Sequence, residues 1–76
     1  MAKLKPCKRR DFIKKLRKID FGPPEPGGRH FYMRHGSYTF TLPSNKEFSV
    51  PQLKMLLHEI EQGIGRKISY KEWESL

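Results

Sequence analysis

The chain is 76 residues long, with 16 Lys or Arg, 8 Asp or Glu and a formal net charge of +8. That length admits one domain over 1–76, and 36% apolar residues allow only a small core. No apolar run approaches the roughly 18 residues of a membrane span, and Met1-Ala2-Lys3-Leu4-Lys5 has no hydrophobic leader segment, so neither a membrane nor a secreted location is expected. Cys7, the single cysteine, has no partner for an intramolecular disulfide, which makes a reduced, cytoplasmic setting the default.

Residues 1–18 hold nine basic residues and one acid, Asp11, whereas residues 19–76 balance at seven of each. The whole excess therefore sits in the first quarter of the chain. Such asymmetry points to a polyanion, most often nucleic acid. A solvated helix face that keeps a small protein soluble is the plainer alternative. The cations lie on a predicted helix, 8–21. Phe12, Ile13, Leu16 and Ile19 form one helical stripe. Lys14, Lys15, Arg17 and Lys18 lie off it and are expected to face solvent. Gly22-Pro23-Pro24 stops the helix, and Phe21 is expected to fold back onto the stripe.

Segment 22–28, with three prolines and three glycines, reads as a loop or a poor edge strand. Alternation then gives two strands, 30–34 and 38–42, around a His35-Gly36-Ser37 turn. Phe31, Met33, Phe40 and Leu42 are expected to point inward. His30, Tyr32 and Arg34 share the outward face. Segment 43–48 reads as a connection. Ser49 can cap a helix over 50–61, with Gln52 at the reciprocal capping-box position and proline in the first turn. Leu53, Leu56, Leu57 and Ile60 form its apolar face, and Gly63 is the expected terminator. Ser69 and Glu72 repeat the capping pattern before a short helix, 70–76, that returns Trp73 and Leu76 to the body. The sum is an α+β fold with two helices on one side of a sheet.

His30, His35 and His58 match no zinc spacing, and one cysteine gives no thiolate pair, so no metal and no cofactor are expected. His35 at a turn and His58 on a helix need no special role. Cys7 lies just before the first helix with no base or metal partner near it, so it reads as structural or incidental. His30 differs. It opens a strand after two glycines and Arg29, on the face that carries Tyr32 and Arg34. Free imidazole changes charge at about pH 6.5, so it can exchange protons at cellular pH. Cleavage of RNA by its own 2′-hydroxyl needs a base, an acid and positive charge near the phosphate oxygens. On spacing alone, a lone histidine on a basic surface is more often a simple surface or binding residue than a catalytic one. Tyr32 and Tyr38 could contact RNA, or reflect ordinary strand propensity.

Three runs stand in order: Gly28-Arg29-His30-Phe31-Tyr32-Met33-Arg34-His35, then Thr39-Phe40-Thr41-Leu42-Pro43, then Asn45-Lys46-Glu47-Phe48-Ser49-Val50-Pro51. Together they resemble the HicA family, the small toxins of HicA–HicB toxin–antitoxin systems. The likeness covers about residues 7–62, and Ile68-Ser69-Tyr70-Lys71-Glu72-Trp73 resembles the family's tail, in an extension over 63–76. The resemblance implies a fold like the double-stranded-RNA-binding domain, helix, three antiparallel strands, helix. It implies a metal-independent mRNA interferase, in which His30 is the catalytic general acid or base and Gly28 the glycine before it. It also implies a HicB-like antitoxin as partner. Gly28, Arg29, Tyr32, Arg34, Lys8, Arg9, Arg10 and Lys14 are the candidate RNA contacts. The chain departs from the family pattern at Arg29, where Ser or Asp is usual, and at Asp20, where Gly is usual. It departs again at Met33 and in the proline-rich 22–26 segment. Two further readings stay open: a noncatalytic RNA-binding module of the same architecture, and a protein whose basic helix docks on an acidic partner.

Overall fold

The computed structural model describes residues 3–76; Met1 and Ala2, the first positions of the leader reading, lie outside them. The elements run β1 (Cys7–Lys8), α1 (Arg9–Lys18), β2 (Glu25–Gly27), β3 (His30–His35), β4 (Tyr38–Leu42), β5 (Glu47–Phe48), α2 (Val50–Ile64) and α3 (Tyr70–Ser75). The fold is α+β. β2, β3 and β4 form one antiparallel sheet in that order, and β1 pairs with β5 in a separate two-stranded ladder. No helix among the described residues is long and apolar enough to cross a membrane.

α1 ends at Lys18, earlier than the stripe suggests, because its last turn closes a left-handed cap. Phe21 N–H donates to the Leu16 carbonyl at 3.1 Å and Asp20 N–H to that of Arg17 at 3.4 Å. This is the paired pattern of a Schellman motif, and Asp20 takes the left-handed position at φ 77°. Leu16 and Phe21, the two positions whose side chains meet in such a cap, both belong to the buried core.

The proline-rich segment is the edge strand of the sheet. Its missing N–H donors are tolerated there, and Gly22 N–H extends the pairing by donating to the Arg34 carbonyl at 2.7 Å. In the hairpin, Phe31 faces Leu42 and Met33 faces Phe40. Met33, Phe40 and Leu42 are buried as expected, but Phe31 is 46% exposed. Its ring lies at the end of the sheet beside the guanidinium of Arg9, the first residue of α1, rather than in the core.

The connection 43–48 is not wholly irregular. Its last two residues pair Glu47 with Lys8 and Phe48 with Cys7. A two-residue ladder between distant segments leaves no periodic trace in the sequence. Ser49 caps α2 as expected, its Oγ accepting from Gln52 N–H at 3.4 Å, but the Gln52 side chain donates to Asn45 Oδ1 rather than closing the capping box. The helix runs past Gly63 and ends at Gly65, which holds φ 67°. α3 is capped by Ser69 and buries Trp73.

One core unites these parts. Phe12 of α1 lies 6.0 Å from Phe40, 5.0 Å from Phe48 and 5.3 Å from Trp73, between ring centroids. Lys15 is not a solvent-facing cation. Its ammonium lies 5.0 Å from the centre of the Trp73 ring, donates to the Trp73 carbonyl at 2.9 Å and pairs with Glu74 at 3.6 Å. The basic helix thus spends one charge on holding α3.

Candidate functional site

His30 is exposed and opens β3 after a two-residue turn, Gly28 and Arg29. Gly28 has φ +26°, and nothing lies within 4 Å of a Cβ built there. The glycine serves the turn rather than a close approach. At this end of the sheet, His30 lines a cleft of about 330 Å³ with Arg9, Arg29, Phe31, Leu42, Ser44 and Lys46. The residues come from the start of α1, the β2–β3 turn with the first two residues of β3, and the end of β4 with the segment after it.

Arg9 is firmly held in the cleft wall. Its backbone N–H donates to the Lys46 carbonyl at 2.9 Å, which continues the β1–β5 ladder. Its Nε donates to the Pro43 carbonyl at 3.3 Å, and its guanidinium lies 5.5 Å from the centre of the Phe31 ring. Two arginines and a lysine therefore line the same cleft as His30 and the exposed Phe31. Such a cleft can hold a phosphate group against guanidinium and ammonium charge, with a proton-exchanging side chain beside it.

The other sequence-level candidates lie elsewhere. Tyr32 and Arg34 are on the outer sheet face. Arg34 Nη2 donates to Tyr32 Oη at 3.3 Å, its guanidinium lies 5.2 Å from the centre of the Tyr32 ring, and it pairs with Glu25 at 3.5 Å. The hydrogen bond to Tyr32 first, and the Glu25 charge second, push the Arg34 pKa up. The Tyr32 ring also covers Gly27, where a Cβ would come within 2.8 Å of it. Lys8 and Lys14 line a second groove, about 520 Å³, with Lys5, Asp11, Lys18 and Glu47 among its other walls. Arg10 is exposed and lines neither. Thus Arg9, Arg29 and His30 come together, and Lys8, Lys14, Tyr32 and Arg34 do not join them.

Phe31, Leu42, Ser44 and Lys46 are the cleft residues that the sequence reading did not select. Alternation assigns Phe31 to the core, and Lys46 is brought in by the cryptic β1–β5 ladder. Tyr38, a possible RNA contact, faces α2 instead, and its ring packs on Gly63. His35 is half-buried beside Phe21, 5.1 Å between ring centres. Cys7 is buried, and that burial is the main cause of its raised pKa. His58 lines a groove of about 770 Å³ between the end of α2 and the start of α3; none of the site residues expected from the sequence lines it. Among the described residues, no three His, Cys, Asp or Glu side chains are grouped to hold a metal ion. In comparisons with known protein families, curated proteins and solved structures, nothing matches this chain.

Proposed function

We propose that this protein is an endoribonuclease toxin of the HicA type, an mRNA interferase that cuts RNA with His30 and is neutralised by a HicB-like antitoxin. One observation carries the reading: His30 shares a cleft with three cations, Arg9, Arg29 and Lys46. The order α1, three-stranded antiparallel sheet, α2 supports a likeness to the double-stranded-RNA-binding domain.

In the proposed reaction the 2′-oxygen of one ribose attacks the adjacent phosphorus, and the bond from phosphorus to the 5′-oxygen breaks. The products are a 2′,3′-cyclic phosphate and a free 5′-hydroxyl. A proton leaves the 2′-hydroxyl and a proton reaches the 5′-oxygen. His30 is the cleft group suited to one of these transfers, a role that contributes typically 10²–10⁴-fold in rate. Arg9, Arg29 and Lys46 would offset the charge that grows on the non-bridging oxygens. No metal enters this scheme, and the compartment that suits it is the cytoplasm.

The test is a long mRNA incubated with wild type and with His30→Ala in EDTA. Wild type is expected to fragment the RNA into cyclic-phosphate ends, and His30→Ala to lose at least about 10²-fold in rate while staying folded. Cutting at the parental rate by His30→Ala overturns the reading. A noncatalytic RNA-binding module is the second reading, favoured by Lys8 and Lys14 lying in a groove apart from His30. It expects bound but intact RNA, and binding that His30→Ala leaves unchanged.

A further inference from the structure

Phe31 stands apart from its neighbours on the same sheet face. Leu42, opposite it, and Met33, two residues on, are fully buried, yet Phe31 is 46% exposed. Its ring overhangs the cleft that holds His30, with the Arg9 guanidinium over it. Of all the phenylalanines in the chain, only this one is exposed, and it lies among three cations. A flat ring flanked by guanidinium and ammonium groups suits a nucleic-acid strand whose base stacks on the ring while cations take the neighbouring phosphates. A duplex offers no such base. In an A-form helix the base faces are covered by their neighbours, and only edges, 2′-hydroxyls and phosphates are presented.

We propose that Phe31 is a stacking platform for an unpaired base, so that the cleft takes a single-stranded stretch of RNA rather than a duplex. The inference rests on the RNA reading of this cleft and adds the class of strand. A base seated on Phe31 brings its own ribose and phosphate into the cleft that His30, Arg9, Arg29 and Lys46 also line. Phe31 thereby positions the strand without taking part in proton transfer.

The test uses the His30→Ala protein, which keeps the RNA intact, and a fluorescent single strand of about 12 nucleotides, alone or annealed to its complement. The single strand is expected to bind roughly ten-fold or more tightly than the duplex. Adding Phe31→Ala should cost roughly ten-fold or more on the single strand and nothing on the duplex, with the salt dependence unchanged. Phe31→Leu keeps the apolar contact with Leu42 but lacks the flat ring, and should fail in the same way. Phe31→Trp should retain binding, with its emission quenched as the strand is added. Equal affinity for strand and duplex overturns the proposal. So does a Phe31→Ala loss that is equal on both, or no loss. Strand binding that depends on Phe31 in a protein whose wild type cuts no RNA overturns the nuclease reading and leaves this one standing.

Discussion

Tyr38 and Gly63 are in contact across the interface between sheet and helix, and a side-chain carbon at position 63 would overlap the Tyr38 ring. This accounts for a glycine inside α2, where it ordinarily costs about 0.5–1 kcal/mol relative to alanine. Gly63→Ala is therefore expected to destabilise by about 1–3 kcal/mol, the range for overpacking. In a Tyr38→Ala background the sign should reverse, and alanine at 63 should gain up to about 1 kcal/mol. Urea denaturation of the four proteins gives the answer; a gain from Gly63→Ala with Tyr38 present would show that the ring does not fill this space.

The hydroxyl at the far end of the same ring is buried, with no hydrogen-bond partner. Leaving such a group unpaired costs about 1–3 kcal/mol, so Tyr38→Phe should raise stability at neutral pH by up to about that amount. Burial first, and the Glu59 charge second, push the phenol above its ordinary 10.0. The folded form then keeps its proton where the unfolded chain has lost it. Below pH 10 this coupling leaves stability untouched; above it, stability falls with rising pH until the folded-state value is passed. Tyr38→Phe should remove that fall. Urea midpoints at about pH 7 and about pH 10.5 test this, because the variant's advantage must widen at the higher pH.

Asp20 fills a position that favours glycine. Its φ of 77° is left-handed, and it closes the cap on α1. A non-glycine residue there costs about 1–2 kcal/mol, with Asp among the better tolerated. Asp20→Gly should stabilise by about 1 kcal/mol and raise Tm by about 4–8 °C. A scanning calorimetry trace with an unchanged or lower Tm would mean that the carboxylate itself sustains the cap.

The RNA reading assigns unequal roles to two arginines. Arg29 lines the His30 cleft, whereas Arg34 is engaged with Tyr32 and Glu25. Arg29→Gln should reduce the slope of log affinity against log salt by about 0.7 for a single strand, the value of one phosphate contact. Arg34→Gln should leave the slope in place. Titrations at several salt concentrations decide it, and equal slopes for the two variants would contradict the assignment.

Much of the fold is legible because its signals are local. Ser49 and Ser69 announce their helices, the alternation in 30–42 announces the hairpin, and the stripe of Phe12, Leu16 and Ile19 announces the buried face of α1. What stays hidden depends on distant partners. Gly63 looks like a terminator until Tyr38 is seen against it. Lys15 looks solvated until Trp73 lies under its ammonium group. Phe31 has the alternation of a core residue, but alternation gives the face of a sheet and not where its covering layer stops. For the candidate site, the sequence singles out His30, Arg29 and Arg9 separately. Their meeting depends on Cys7 and Lys8 finding Glu47 and Phe48, a pairing too short to carry a pattern.

That short ladder ties the wall of the His30 cleft to the core. Cys7 and Phe48 face the core, while the adjoining Arg9 and Lys46 are bonded through their backbones at the cleft. The interior and the charged wall hang on the same few residues. Phe48 and the backbone that carries two of the cleft's cations are joined in one ladder. Heredity can therefore adjust the cleft's side chains freely, but it can shift their spacing only by rebuilding the interior in the same step.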